Sequence, residues 1–214
     1  LEMEIHRLQE AKVDLIHIDI SDTTYCDTIL LSPEILPAIR KITDLPLDIH
    51  VMIEDPERIL PAILPHCQDN YVCFQVETVK DICKFLRTVK GAGGKPAVAL
   101  NPCTPLSILE DIIPYIEMVN LMVRSPGCPL KDLNQHILDK IVRTHRLLEE
   151  LNNPNIEIEV DGSIDYKDAK LTVARGANIL VLGTKVIFRG NDYAENCQKL
   201  RDYLRESDLE ESKI

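Results

Sequence analysis

Two histidines and two aspartates stand where short apolar runs give way to polar residues, and their types suit metal and proton chemistry. His17 and Asp19 are two residues apart in Leu15-Ile16-His17-Ile18-Asp19. In an extended segment their side chains therefore face the same way. His50 closes the next apolar run, and Asp161 closes a run much later in the chain. Mixed imidazole and carboxylate donors converging from three strands suit Zn²⁺, with Fe²⁺, Mn²⁺ and Co²⁺ also open. Two carboxylates on one cavity suit another task as well. One removes a proton beside a carbonyl, and the other returns a proton on the opposite face. The enediolate charge formed between these steps calls for an electrophile such as a metal ion. The competing reading makes the histidines hydrogen-bonded core residues and the aspartates caps of the following turns. Each residue alone fits that reading, whereas the four together at three strand ends fit a metal centre.

Such residues need a scaffold that brings distant segments to one edge. The chain alternates short apolar, β-branched runs with longer segments of helical periodicity. Strands are expected at 15–18, 47–49, 71–75, 96–100, 118–123, 156–160 and 179–182. Helices are expected near 33–41, 56–64, 79–90, 106–113, 133–151, 166–174 and 193–205, with a further helix over 1–10. This alternation predicts parallel strands with helical crossovers in an α/β fold. Polar or glycine positions follow each strand. They include Gln75 and Glu77, Asn101 and Pro102, Ser125-Pro126-Gly127, Asp161-Gly162-Ser163 and Gly183-Thr184-Lys185. That pattern matches a (β/α)8 TIM barrel, whose catalytic groups lie at the C-terminal strand ends. Seven strands are visible where eight are needed, so the first is expected upstream of Leu1. An open doubly wound sheet is the alternative. It lacks support because Gly91-Ala92-Gly93-Gly94 follows a helix, the place for a C-cap rather than a phosphate cradle. One barrel domain is expected over 1–205, followed by an acidic tail over 206–214 that frays.

The bulk composition restricts the partners. The chain has 214 residues, 45% of them hydrophobic and 28% charged, enough for one domain with a substantial core. A net charge of −11 argues against nucleic-acid binding, which calls for basic patches. It leaves room for a small anion held by local amides and a lysine. No apolar run reaches the length of a membrane span, and no secretory leader opens the sequence. The seven cysteines are odd in number and form no C-x-x-C pair, so they read as reduced thiols in a cytoplasmic protein rather than a zinc site.

At these residues the sequence resembles the ribulose-phosphate 3-epimerase family, over nearly the whole chain. The carrying segments are LIHIDISD (15–22), LPLDIHVMIEDPER (45–58), ALNPCTPL (99–106), VRSPG (123–127), IEIEVDGSI (156–164) and VLGTKVIF (181–188). The resemblance implies metal ligation by His17, Asp19, His50 and Asp161, with Asp19 and Asp161 as the acid/base pair. It implies that Met52 and Met122 line the cavity near the enediolate, with Gly127 in the substrate loop. Gly162-Ser163 and Gly183-Thr184 would offer backbone amides to a phosphate. The implied reaction interconverts D-ribulose 5-phosphate and D-xylulose 5-phosphate. Two alternatives are a ketohexose-6-phosphate (allulose 6-phosphate type) 3-epimerase and a non-catalytic relative that binds metal or sugar phosphate. A barrel lyase of the D-x-K-x-x-D kind is disfavoured, since the matching strand carries His17-Ile18-Asp19. The family also implies a homo-oligomer, although no stripe in the sequence identifies an interface.

Several positions depart from the family. Its Met-Asp-Gly-His-Phe-Val-Pro-Asn is here Ser21-Asp22-Thr23-Thr24-Tyr25-Cys26-Asp27-Thr28, so an active-site methionine has become Ser21. The Gly-Phe-Gly-Gly-Gln loop is replaced by Gly127-Cys128-Pro129-Leu130-Lys131, in which Pro129 has no amide to donate. A usual histidine is Gln75. Metal and acid/base positions are retained while the substrate loops have drifted. Such drift is expected to weaken phosphate binding and, through it, the positioning of the reacting centre.

Overall fold

Runs rich in Ile, Val and Leu become strands buried on both faces, as a parallel sheet covered by helices requires. The protein is described by a computed structural model over residues 1–125 and 133–211. Seven parallel strands pair in chain order: β1 (Ile16–Ser21), β2 (Leu47–Met52), β3 (Tyr71–Gln75), β4 (Lys95–Leu100), β5 (Met118–Met122), β6 (Glu157–Asp161) and β7 (Ile179–Leu180). Helices α1 (Glu2–Glu10), α2 (Ile35–Arg40), α3 (Leu60–Ile63), α4 (Ile82–Gly91), α5 (Ser107–Glu110), α6 (Gln135–Glu150), α7 (Tyr166–Val173) and α8 (Tyr193–Glu211) alternate with them. The result is a curled α/β sheet of TIM-barrel type.

Local chemistry sets the helix ends. Asp81 accepts from the Lys84 amide at 2.9 Å and caps α4, whose Phe85, Leu86 and Val89 turn into the core. Asp165 and Asp168 form a reciprocal capping box at the start of α7. The Gly91–Gly94 run closes α4 as its position implied. The amides of Gly93 and Gly94 reach back to the carbonyls of Lys90 and Val89 at 3.0 Å, and Gly93 takes a positive φ of 83°.

The strands bearing the chemistry run further than their apolar runs. β1 reaches Ser21 and β2 reaches Met52, with Asp19 paired to His50 and Ser21 to Met52. The ladder continues because Ile18 and Ile20 on the outer face stay buried while His17 and Asp19 face inward. Two expected helices, 56–64 and 106–113, are instead broken into one-turn pieces. The first holds Pro61 within its span, which removes a backbone donor, and Pro114 stands one residue past the second, in the turn after α5. In contrast, α8 continues beyond Arg205 to Glu211.

Of the eight strands a closed barrel needs, seven occur among the described residues. β1 pairs with β2 and β7 with β6, and β1 and β7 do not pair with each other. The outer layer spans that interval. Arg201 of α8 donates to the carbonyls of Ala11 and Lys12 at 3.2 and 2.6 Å, and the Tyr193 hydroxyl bonds Glu4 of α1. No described helix is long and apolar enough to cross a membrane.

Candidate active site and metal centre

Strand alternation sets which residues face the barrel interior. The inward set includes His17 and Asp19 on β1, Asp48 and His50 on β2, and Glu159 and Asp161 on β6. It continues through Cys73 and Gln75 on β3, Ala97 and Ala99 on β4, and Met118, Asn120 and Met122 on β5. His17, Asp19, His50 and Asp161 each bring a donor atom within 4.8 Å of the others. His17 Nε2 lies 3.0 Å from Asp19 Oδ1 and 3.8 Å from Asp161 Oδ2. His50 Nδ1 lies 3.2 and 3.5 Å from the same two oxygens. Four donors thus enclose one point. They are two imidazole nitrogens and two carboxylate oxygens, a set that could hold a borderline divalent cation.

The far side of each imidazole is held as well. His17 Nδ1 bonds the carboxylate of Asp48, which is fully buried, and this leaves Nε2 for the centre. The side-chain nitrogen of Gln75 lies 2.9 Å from His50 Nε2. Gln75 Oε1 is buried without a protein partner, so a turn of the amide would offer an acceptor to an Nε2–H when Nδ1 binds a cation. Glu159 adjoins His17 and Asp48, and its outer oxygen is likewise buried without a partner.

Burial and mutual charge shape the titration of this group. Burial acts to raise the Asp19 carboxyl. Hydrogen bonds from His17 and His50 outweigh it and hold Asp19 far below the usual carboxylate range. Burial acts to lower His50, but bonds from Asp161 and Asp19 carry it to about 9. For His17, burial is likewise opposed by Asp48 and Asp19, and its pKa rises well above the ordinary value. Glu159 is pushed well above the ordinary carboxylate range by burial and then by the Asp48 charge.

A cavity of about 560 Å³ opens beside the centre and is lined by both edge strands and the turns after β6 and β7. Ser163, Gly183, Thr184 and Lys185 border it, as do Asp19 and Asp161. Gly162 takes φ 132°, and an added Cβ would meet that of Val123 at 3.0 Å, so the turn after Asp161 requires glycine. Met52 and Met122 are buried at their strand ends, and neither lines this cavity. Gly127 lies outside the described residues, with the rest of its loop up to Lys131.

Sequence reasoning passed over Asp48, Glu159 and Lys185 as functional groups and treated Gln75 only as a departure. A signal existed for three of them. Asp48 and Glu159 each stand two residues before a named ligand, so they share its inward face, and Lys185 ends the Gly-Thr-Lys run.

A barrel-like parallel α/β sheet with imidazoles and carboxylates at its C-terminal strand ends defines an enzyme of the TIM-barrel class. A solved structure of a mutant tryptophan synthase alpha-subunit from Pyrococcus furiosus shares this fold. Its TM-score is 0.65 at 15% identity, covering 96% of this chain and 92% of that one. The family described as "Ribulose-phosphate 3 epimerase family" matches residues 1–187. Ribulose-phosphate 3-epimerase of Bacillus subtilis is 34% identical over 183 residues, 86% of this chain and 84% of that protein. The Methanocaldococcus jannaschii protein of the same name is 31% identical over 207 residues, 97% of this chain and 86% of its own length. The chain belongs to the ribulose-phosphate 3-epimerase family and is an isomerase of the epimerase kind.

Proposed function

We propose that the protein interconverts D-ribulose 5-phosphate and D-xylulose 5-phosphate by proton transfer between two aspartates at a metal centre. The observation that carries this reading is the near-symmetric placement of Asp19 and Asp161 about one pair of imidazole nitrogens, at 3.0 to 3.8 Å. One carboxylate takes the proton from carbon 3 beside the carbonyl, leaving an enediolate. The other returns a proton to the opposite face, and the centre is inverted. His17, Asp19, His50 and Asp161 would hold a divalent ion, zinc being the first choice for this donor set. Such an ion would stabilise the negative charge on the adjacent oxygens. Asp48 and Gln75 orient the two imidazoles.

At the other end of the cavity, the amides of Gly162-Ser163 and Gly183-Thr184 bind the phosphate, as oriented amides bind anions. Lys185 adds a charge there. No ion-pair partner for it occurs among the described residues, and it borders the same cavity. The cavity shared by the two edge strands supports an eight-stranded barrel, in which one more strand lies between β7 and β1.

The test is turnover of ribulose 5-phosphate by protein stripped with chelator and then reloaded with Zn²⁺, Mn²⁺ or Fe²⁺, alongside Asp161→Asn. Metal-dependent turnover that disappears in the variant is expected. A folded, metal-loaded protein without turnover would overturn the ribulose assignment.

A further inference from the structure

The loop after β1, which departs from the family pattern, is braced by a set of hydrogen bonds within itself and to neighbouring strand ends. Asp22 accepts from the amides of Thr24 and Tyr25 at 3.0 and 2.9 Å, and the Asp22 amide reaches the carbonyl of Met52 at 3.4 Å. Ser21 Oγ donates to the Thr28 carbonyl at 2.8 Å and accepts from the Leu30 amide at 2.9 Å. The loop returns to its own strand where the Leu31 amide bonds the Asp19 carbonyl at 3.2 Å. From this closed loop the Tyr25 hydroxyl reaches a residue 76 positions away, accepting from Asn101 Nδ2 at 2.7 Å.

Asn101 is itself anchored. It immediately follows β4, and its amide donates to Glu77 at 2.9 Å. Its carbonyl accepts from Lys140 Nζ at 2.7 Å, and the same ammonium, on a lysine only 2% exposed, also binds the Thr104 carbonyl at 2.7 Å. Glu77 further accepts from the Thr104 hydroxyl. Burial raises the Tyr25 phenol to about 12, so it stays protonated at neutral pH. Since β2 and β3 lie between β1 and β4 in the sheet, the link spans their ends. No residue of β3, β4, β5 or the 22–31 loop lines the cavity, which lies toward β6, β7 and the β1–β2 edge.

We propose that Tyr25 is a positioning residue whose bond to Asn101 latches the 22–31 loop as a fixed roof over the β1–β4 side of the barrel mouth. The roof begins three residues after Asp19, and its Leu31 amide bonds the Asp19 carbonyl, so the latch also holds the strand end that carries this carboxylate. The expected effect on turnover rests on the epimerase reading above, whereas the latch itself does not.

The experiment compares backbone hydrogen exchange in the full chain, Tyr25→Phe, Asn101→Ala and the double variant, alongside KM and kcat for ribulose 5-phosphate. Tyr25→Phe should speed exchange about tenfold in both 22–31 and 101–104, the scale of one hydrogen bond lost from a coupled pair. Asn101→Ala should act likewise on 22–31, and the double variant should add little. KM should rise more than kcat falls, because a loosened roof costs binding before chemistry. Faster exchange confined to the loop that carries the substitution, additive effects, or a uniform rise across the chain would each overturn the latch. If the unsubstituted protein does not turn over ribulose 5-phosphate, the substrate reading falls, and the exchange pattern still decides the latch.

Discussion

The two halves of the barrel interior share one backbone arrangement and differ in chemistry. On β1, β2 and β6 the inward positions hold His17, Asp19, Asp48, His50, Glu159 and Asp161. Across β3, β4 and β5 they are mostly small or apolar, with Cys73, Ala97, Ala99, Met118 and Met122 packed as one cluster. The charged half flanks the interval between β7 and β1, where the cavity opens, and the apolar half is closed by continuous pairing. Ionised groups are tolerated inside a protein when they pair with one another, and the apolar half has no such partners to offer. On the proposed mechanism one half carries reactivity and the other rigidity, a division that substitutions can test.

The largest effect is expected at the proposed proton carriers. Asp161→Asn keeps shape and a donor oxygen but cannot cycle a proton, so kcat should fall by about 10³-fold. A loss under tenfold would show that the charged half does not act through this carboxylate. In the apolar half, Met118→Ala leaves a buried void and should cost about 3 kcal/mol in chemical denaturation. Activity per folded molecule should stay close to that of the parent. A specific loss of turnover there would erase the distinction between the halves.

Asp48→Asn addresses the support of the charged half. It weakens the hold on His17 Nδ1, and metal affinity measured by competition with a chelator should fall by about 10- to 100-fold. An unchanged affinity would make Asp48 a packing residue.

The pH response of the metal-free protein sharpens the same contrast. His50 has a folded pKa of about 9, above its ordinary value. Its contribution to stability is therefore complete below about pH 6.5 and is lost as pH rises through 9. Asp19 is depressed, so its contribution is present above its ordinary range and is lost as acid lowers the pH. The melting temperature without metal should fall between pH 6.5 and 9. Zn²⁺ should reverse that fall, since the cation binds neutral imidazole and displaces the protons. A flat profile would remove the histidine–carboxylate coupling from the account. The smallest effect is expected at Lys185→Met, where KM for ribulose 5-phosphate should rise several-fold with kcat nearly constant. An unchanged KM would place the phosphate on amides alone.

The order of strands and helices was legible from periodicity, as were the four principal donors, because each donor interrupts an apolar run at a strand end. Other features were less accessible. The strand ends at Ser21 and Met52 ran past the hydrophobic signal because ladder pairing, not hydropathy, sustains them. The helix expected at 56–64 gave way to short turns at Pro61, and the one expected at 106–113 shortened to a single turn ahead of Pro114. Asp48 and Glu159 looked like ordinary charges within strands, and their alternation with the named ligands was the cue that they face inward.

The sequence by itself determined the alternating α/β class, the strand-end chemistry and the family, since these depend on local periodicity and on residue types in order. The tertiary structure decided which groups meet. The bonds of His17 to Asp48, His50 to Gln75, Tyr25 to Asn101, and Lys140 to the carbonyls after β4 each join residues far apart in the chain. No local propensity encodes such pairs. They form because curling the sheet brings successive strand ends to one rim, where a buried polar group must find a partner or remain unsatisfied.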